Sequence, residues 1–185
     1  MNEIRNASIF YDIHTFVEHI NILKGISPMN AHKRFGVKKK NYDRIVMTSG
    51  GFDPMHIGHL RCIQESAEIA GDDLLVIIVN GDSFLKEKKG YAFMEAHERA
   101  EIISAIRGVD YVVVHEKPGD MTVCEPIEVI KPMLFTKGGD RNSFDNVPES
   151  KVCMDVGCRV VFDVGGEKIQ SSSELVERSK TNKGE

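Results

Sequence analysis

From residue 44 onward, short runs of β-branched and other apolar residues alternate with segments whose apolar positions recur at helical spacing. This alternation is typical of β-α-β units and of a parallel sheet. The run from Leu74 to Val79 is apolar at every position, which predicts a strand covered by helices on both faces. Strands are predicted at residues 44–49, 73–80, 110–115, 133–136 and 159–164. The pattern therefore predicts an α/β fold with a doubly wound, five-stranded parallel sheet.

Two of the connections between these strands predict helices that end at a glycine. Apolar residues recur every three or four positions from Leu60 to Ala70, and again from Ala96 to Ile106. Gly71 and Gly108 follow, and glycine is favoured after a helix because it accepts positive φ. Shorter helices are predicted near residues 124–130 and 149–156.

Residues 1–41 follow a different pattern and are predicted to lie outside the main domain, which spans 42–180 and is followed by a polar tail at 181–185. Apolar side chains between Ile9 and Ile20 form one stripe, which predicts a helix, and a basic linker follows. The stripe indicates packing on the domain or on a second copy of the chain, as in a homodimer. The alternative is that the basic linker anchors an acidic ligand or a membrane.

Composition and charge narrow the function classes. The 185 residues carry 24 Lys and Arg against 28 Asp and Glu, a net charge of -4, which argues against broad binding to nucleic acid. The sequence shows no apolar run near the ~20 residues that span a bilayer and no secretory leader, so we expect a cytoplasmic protein with no membrane partner. The four cysteines show no C-x-x-C spacing, which favours reduced thiols over a zinc knuckle or a redox motif.

The segment from Ser49 to Leu60, S-G-G-F-D-P-M-H-I-G-H-L, lies between the first predicted strand and the first predicted helix. Ligands of open α/β sheets bind at the carboxyl ends of strands, and a helix N-terminus there offers unpaired N–H groups to phosphate. Gly50 and Gly51 let the backbone approach such a ligand closely. The position of this segment therefore predicts a phosphate-binding site.

His56 and His59 are the candidate catalytic pair in this segment. They are three residues apart at the start of a helix, so both imidazoles can face one phosphate, and Gly58 between them leaves room. The alternative is a metal site in which Cys62, three residues further on, is a third ligand. The strand-to-helix context and Gly58 favour phosphate, so no metal ligand is predicted among the side chains.

The H-x-G-H core of this segment resembles the signature of the nucleotidyltransferase superfamily that joins a nucleoside monophosphate to a phosphorylated acceptor. Further segments are similar, in order and spacing, to those of glycerol-3-phosphate cytidylyltransferases and of the adenylyltransferase domain of bacterial heptose-phosphate enzymes. They are Lys86–Gly90, Glu98–Arg99, Val109–Asp110, Lys137–Asp140 and Ser171–Leu175. The resemblance covers residues 44 to about 178 and implies a Rossmann-like fold.

The resemblance implies in-line transfer, in which an acceptor phosphate oxygen attacks the α-phosphorus of a nucleoside triphosphate and pyrophosphate leaves. Its catalytic residues would be His56, His59 and Lys86. The nucleotide-binding residues that it implies are Gly51, Phe52, Gly58, Lys137, Gly138, Asp140, Ser171, Ser172 and Ser173. The residues expected to bind the phosphorylated substrate are Asp53, Asp82, Lys88, Lys89 and Arg99. The implied cofactor is Mg²⁺, held mainly by the nucleotide and water.

Several of these residues also have a structural interpretation. Ser171 and Glu174 form a capping box in their own right, which needs no ligand. Asp53 and Asp82 could each cap a turn or a helix. The lysines within 86–89 could form a solvated surface.

One difference from the cytidylyltransferases bears on which nucleoside triphosphate the chain uses. Cytidylyltransferases have an arginine shortly before the serine motif, whereas this chain has Gly165-Gly166-Glu167, and the heptose-type enzymes also lack that arginine. We therefore expect AMP transfer to a heptose-1-phosphate-like sugar first, CMP transfer to a polyol phosphate second and AMP transfer to nicotinate mononucleotide third. A non-catalytic nucleotide-binding scaffold is the alternative of another class. The chain lacks the G-x-G-x-x-G and G-x-x-x-x-G-K-[ST] motifs of dehydrogenases and P-loop kinases.

Overall fold

The computed structural model describes residues 6–25, 40–138 and 148–181. These residues form one sheet of six parallel strands in the order β1-β4-β3-β2-β5-β6. The strands are β1 (Ser8–Phe10), β2 (Asn41–Gly50), β3 (Asp73–Asn80), β4 (Tyr111–His115), β5 (Leu134–Thr136) and β6 (Arg159–Val161). The predicted Rossmann-like parallel sheet is confirmed, with β1 as a sixth strand that the sequence pattern did not predict.

Helices connect the strands and follow the last one. They are α1 (Ile13–Lys24), α2 (Ile57–Ala70), α3 (Asp82–Lys89), α4 (Ala96–Ser104), α5 (Cys124–Ile130), α6 (Ser150–Asp155) and α7 (Ser172–Thr181). The helix α3 carries the lysine cluster and was not predicted, because only Leu85 in it is a buried apolar residue and the segment therefore shows no apolar periodicity. Among the described residues, no helix is both long enough and apolar enough to cross a membrane.

Apolar cores cover both faces of the sheet. In β3, alternate residues from Leu74 to Val79 belong to opposite cores, and each of the six is at most 1% exposed. The core on one face includes residues of α1, α5 and α6, and the core on the other face includes residues of α2 and α4. This two-sided burial is the reason why the run reads as continuously apolar.

The N-terminal segment completes the sheet. Ser8–Phe10, predicted as the start of a helical stripe, instead pair with β4 as a parallel edge strand. The helix begins only at Ile13, because the Asp12 carboxylate accepts a hydrogen bond from the Thr15 backbone N–H at 2.7 Å and caps it. The apolar side of α1 is buried on the chain's own sheet, so the stripe itself gives no support to a homodimer. Most of the basic linker, at 33–39, lies outside the described residues.

The order of the strands reverses at β2. After β2, the chain adds β3 and β4 on one side of this strand. It then crosses over and adds β5 and β6 on the other side. Such a switch point opens a crevice at the carboxyl ends of the two strands that flank it, which are here β2 and β5. The segment 49–60 lies at this crevice.

Candidate active site

A cavity of about 360 Å³ opens at this switch point. Its walls come from the carboxyl ends of β2 and β5, the start of α2, one side of α3, the loop at 121–123 and the segment 164–173. The volume is that of a small-molecule pocket, and most of the side chains that line it are polar or charged.

His56 and His59 stack at the mouth of α2. Their ring centroids are 3.7 Å apart and the planes differ by 18°. His56 is the N-cap of the helix, and its Nδ1 accepts a hydrogen bond from the Gly58 N–H at 3.1 Å. A neutral His56 ring therefore carries its proton on Nε2, and that N–H remains to donate to a ligand.

His59 lies deeper than His56. The edge of its ring contacts Phe52, with 5.2 Å between the centroids. Burial, with smaller contributions from the charges of His56 and Lys89, lowers the pKa of His59 to about 4. Its buried Nδ1 has no hydrogen-bond partner among the described residues. At neutral pH this imidazole is uncharged, so it contributes an N–H dipole and an unpaired nitrogen to the cavity.

Two glycines are required by close contacts in the cavity wall. A Cβ at Gly58 would lie 3.0 Å from Cε1 of His56, so a larger residue would displace the ring from its capping position. A Cβ at Gly138, directly after Lys137, would lie 2.6 Å from the Val164 backbone oxygen. Gly138 thus lets two segments of the cavity wall approach each other, whereas Gly58 leaves room for the His56 ring within its own segment.

The lysines of α3 divide into two groups. Lys88 and Lys89 line the cavity, whereas Lys86 is exposed and lies outside the lining. Lys89 Nζ donates to the Asp53 backbone oxygen at 2.7 Å and to Asp53 Oδ2 at 2.8 Å. The structure thus places Lys88 and Lys89, but not Lys86, at the cavity, and the catalytic role of Lys86 stays a prediction that this geometry does not favour.

Asp53 is enclosed by the chain. Its Oδ1 accepts from the Met94 N–H at 2.7 Å, and its Oδ2 accepts from the Phe93 N–H at 2.8 Å as well as from Lys89. The side chain is 0% exposed. Asp53 thus holds the connection before α4 against the phosphate-binding segment, and substrate contact by its carboxylate stays a prediction.

Arg99 and Asp82 lie behind the cavity wall. The buried guanidinium donates to the backbone oxygens of Gly51 and Asn80, both at 2.7 Å, and to Asp82 Oδ1 at 2.6 Å. Neither residue belongs to the cavity lining of the described chain. The arginine ties the ends of β2 and β3 to the start of α3, so a positioning role fits it better than the predicted contact with substrate.

The opposite wall carries Lys137 and the serine motif. Lys137 is 7% exposed, with Nζ 3.4 Å from Ser49 Oγ and 3.6 Å from Glu149 Oε2. Residues 171–173 line the cavity at the start of α7, and Ser172 Oγ donates to the Pro54 backbone oxygen at 2.9 Å. These residues, with Gly138, form the side on which the nucleotide is expected. Asp140 lies outside the described residues.

Among the described residues, the side chains of the cavity do not form a cage for Mg²⁺. The two buried carboxylates in its lining, Asp53 and Glu149, already lie beside Lys89 and Lys137. The histidines are nitrogen donors, whereas Mg²⁺ prefers oxygen ligands. The described residues therefore fit an ion that a nucleotide carries in through its phosphates.

Comparison with known families agrees with this geometry. The family model described as cytidylyltransferase-like matches residues 47–177, which include the histidine pair and the serine motif. The chain belongs to the cytidylyltransferase-like family. The strand β1 and the helix α1 lie outside the matched residues.

Relatives of this cytidylyltransferase-like chain include proteins described as bifunctional protein HldE. The one from Geobacter sulfurreducens is 32% identical over 146 residues, or 78% of this chain. The one from Aliarcobacter butzleri is 37% identical over 106 residues, or 56% of this chain. The matches span only 27% and 21% of the length of these relatives.

A solved structure is also similar. It is titled as the lipopolysaccharide core biosynthesis protein from Thermoplasma volcanium GSS1, with a TM-score of 0.53 and 26% sequence identity. The match covers 69% of this chain and 97% of that chain. The matched part of this chain therefore corresponds to nearly the whole of that protein.

Sequence reasoning missed part of this cytidylyltransferase-like site. Met121–Val123 line the cavity after β4, and the rule that ligands bind at the carboxyl ends of strands would have pointed to them. Glu149 also lines it, with Oε1 3.3 Å from the Val123 N–H and Oε2 beside Lys137. No signal in the sequence marks Glu149, because it lies outside every motif.

Proposed function

We propose that this chain transfers the AMP group of ATP to a phosphorylated sugar and releases pyrophosphate. The observation that carries the proposal is the stacked pair of His56 and His59 at the mouth of α2, with Lys88 and Lys89 on one wall and Lys137 on the other. Two phosphorylated substrates can then meet at the pair, each beside its own cations. Family membership agrees with this reaction class.

The reaction needs positioning and charge stabilisation rather than a covalent enzyme intermediate. An oxygen of the acceptor phosphate forms a bond to the α-phosphorus, and the bond from that phosphorus to the bridging oxygen breaks as pyrophosphate leaves. His56 Nε2–H donates to the α-phosphate as negative charge spreads over its equatorial oxygens. His59, uncharged and buried, donates its ring N–H toward the leaving oxygen. A Mg²⁺ ion, when bound with the nucleotide, neutralises part of the phosphate charge.

A sugar phosphate is the acceptor that the relatives favour. The solved relative is titled for lipopolysaccharide core biosynthesis, and the HldE relatives agree with the sequence resemblance to heptose-phosphate enzymes. We therefore place a heptose-1-phosphate-like sugar before a polyol phosphate, and nicotinate mononucleotide last. A cytoplasmic location and a homodimer stay predictions from the sequence.

The test is a pyrophosphate-release assay on the full chain with Mg²⁺. ATP and CTP are each combined with heptose 1-phosphate, glycerol 3-phosphate and nicotinate mononucleotide. We expect turnover with ATP and the heptose phosphate. Turnover only with CTP, or only with nicotinate mononucleotide, would replace the proposed substrates but keep the reaction class. Binding of nucleotide, seen as a higher unfolding midpoint, without pyrophosphate from any pair would favour the non-catalytic scaffold.

A further inference from the structure

A second cluster of ionisable side chains lies beside the cavity wall, where β4 ends and α5 begins. His115 is the last residue of β4, Asp120 lies in the loop that follows, and Glu125 lies in the first turn of α5. One potential ligand atom from each of the three lies within 4.8 Å of the other two. In the described chain these three side chains are not part of the cavity lining, so the cluster is separate from the site described above.

His115 is the member that points to a ligand. Its side chain is 9% exposed, and its Nε2 is buried without a hydrogen-bond partner in the described part of the chain. This nitrogen lies 3.9 Å from Asp120 Oδ2. A buried ring nitrogen without a partner is unfavourable, and a ligand there would remove that penalty.

The N-terminal segment contributes another imidazole. His14, in the first turn of α1, has its Nε2 3.9 Å from Glu125 Oε1, and its side chain is 66% exposed. His14 lies outside the residues that match the family, so this contact is an addition to the family domain. A second imidazole therefore lies next to Glu125, at the edge of the group formed by the other three side chains.

We propose that His115, Asp120 and Glu125, with His14 as a fourth donor, bind a divalent transition-metal ion of the zinc class. Imidazole and carboxylate together are common zinc ligands, whereas Mg²⁺ and Ca²⁺ take oxygen ligands almost exclusively. The proposed ion is therefore distinct from the Mg²⁺ that a nucleotide would carry. It does not depend on the proposed transfer reaction.

Lys117 competes with the ion. Its Nζ donates to Glu125 Oε2 at 2.6 Å and lies 3.7 Å from Asp120 Oδ2, while half of its side chain is exposed. The lysine can swing out to solvent when a divalent cation replaces its charge. Because the ammonium must leave, a variant without it binds the metal more tightly.

The ion would fix a wall of the cavity. Asp120 Oδ1 accepts from the Thr122 N–H at 2.9 Å and from the Thr122 hydroxyl at 2.7 Å, and Thr122 lines the cavity. Coordination through Asp120 Oδ2 would therefore hold this loop while His14 joins it to α1.

Calorimetric titration of the full chain with Zn²⁺, without nucleotide, tests the proposal. The wild-type chain is expected to bind one ion that Asp120→Asn loses or binds at least about tenfold more weakly, because the amide keeps the Oδ1 acceptor for Thr122 but removes the charged ligand. Lys117→Ala is expected to tighten binding. Glu128→Gln, on the exposed side of α5, is the matched control and leaves binding unchanged.

Two further variants distinguish this site from the histidine pair of the cavity. His14 is exposed, so His14→Ala should keep the fold and yet reduce the rise in unfolding midpoint that Zn²⁺ gives the wild-type chain. His59→Asn changes the cavity pair and should keep this ion. Wild-type binding in Asp120→Asn, or loss of the ion in His59→Asn but not in Asp120→Asn, would overturn the proposal and leave the cluster as ion pairs around Lys117.

Discussion

The protonation state of His59 decides what this side chain can do. A protonated imidazole would bring a further cation into a site that already contains Lys89 and other lysines, and burial makes that charge more unfavourable. The structure therefore favours a neutral ring. A neutral ring can donate one hydrogen bond, and its burial does not require a charged group to be desolvated. This suits a site in which negative charge develops on phosphate oxygens.

Replacement of His59 tests this role directly. We expect His59→Asn to lower kcat by about 10² to 10³, the usual loss when one such donor is removed, because the amide N–H₂ of the shorter side chain does not reach as far as the imidazole. His97→Asn is the matched control, because His97 lies on α4 with a side chain that is 58% exposed. Steady-state pyrophosphate release, with circular dichroism to check the fold, measures the effect. A folded His59→Asn chain with more than a tenth of wild-type activity would contradict the assignment.

The same burial predicts a pH dependence of stability. The pKa of His59 is lowered from 6.5 to about 4, so the unfolded chain takes up a proton first as the pH falls. The stabilising contribution is complete above pH 6.5 and is lost toward pH 4, by about 2 to 3 kcal/mol. We expect the difference in unfolding free energy between wild type and His59→Asn to shrink over this range in urea titrations. A constant difference from pH 7 to pH 4 would show that His59 titrates normally.

At the scale of elements, the helix α3 places side chains that are close in sequence in different surroundings. Lys88 and Lys89 line the cavity, Lys86 lies in solvent, and Asp82 at the first turn is held by Arg99. The helix is itself held at its start, where the Glu116 carboxylate accepts from the N–H groups of its first two residues. The rotation of the helix thus determines which lysine can meet a phosphate.

Lys88 and Lys86 form a matched pair for testing this geometry. Lys88→Met is expected to lower kcat/KM for the acceptor by roughly ten- to a hundredfold, because a charged hydrogen bond contributes about 1.5 to 3 kcal/mol. Lys86→Met should stay close to wild type, since Lys86 is exposed and outside the cavity lining. Initial rates over a range of acceptor concentrations distinguish the two. A larger loss in Lys86→Met would restore Lys86 as the catalytic lysine.

The same helix shows where sequence reasoning reaches its limit. The strands β2 to β6 and the helices α2 and α4 were predicted because their apolar periodicity reflects burial, which the chain must encode locally. The strand β1 was not predicted because three residues are too few to show a periodicity of apolar positions. The contacts that enclose Asp53 and Arg99 could not be predicted, because a motif records only the order of side chains along the chain. A motif does not record that the Asp53 carboxylate accepts from the Met94 N–H, or that Arg99 donates to the Gly51 backbone oxygen.

At the scale of the molecule, the N-terminal segment belongs to the same folded body as the site. The strand β1 extends the sheet beyond β4, and α1 covers one face of it. Phe16 is 1% exposed and packs edge-on against Tyr111, with 5.4 Å between the ring centroids. Without α1 this face of β4 would expose an apolar surface, so the segment outside the family match contributes to the stability of the family domain.

This arrangement predicts that substitutions of the buried Phe16 and of the exposed Tyr11 have different effects on the free energy of unfolding. Phe16→Ala should lower the free energy of unfolding by about 3 to 5 kcal/mol, because it leaves a cavity in a packed core. Tyr11→Ala removes an aromatic ring that is 62% exposed and should change it by less than about 0.5 kcal/mol. Urea unfolding measures both, and light scattering gives the mass. Since α1 packs within its own chain, neither variant should change the mass in solution. A mass that halves in Phe16→Ala would instead mean that this helix joins two copies of the chain.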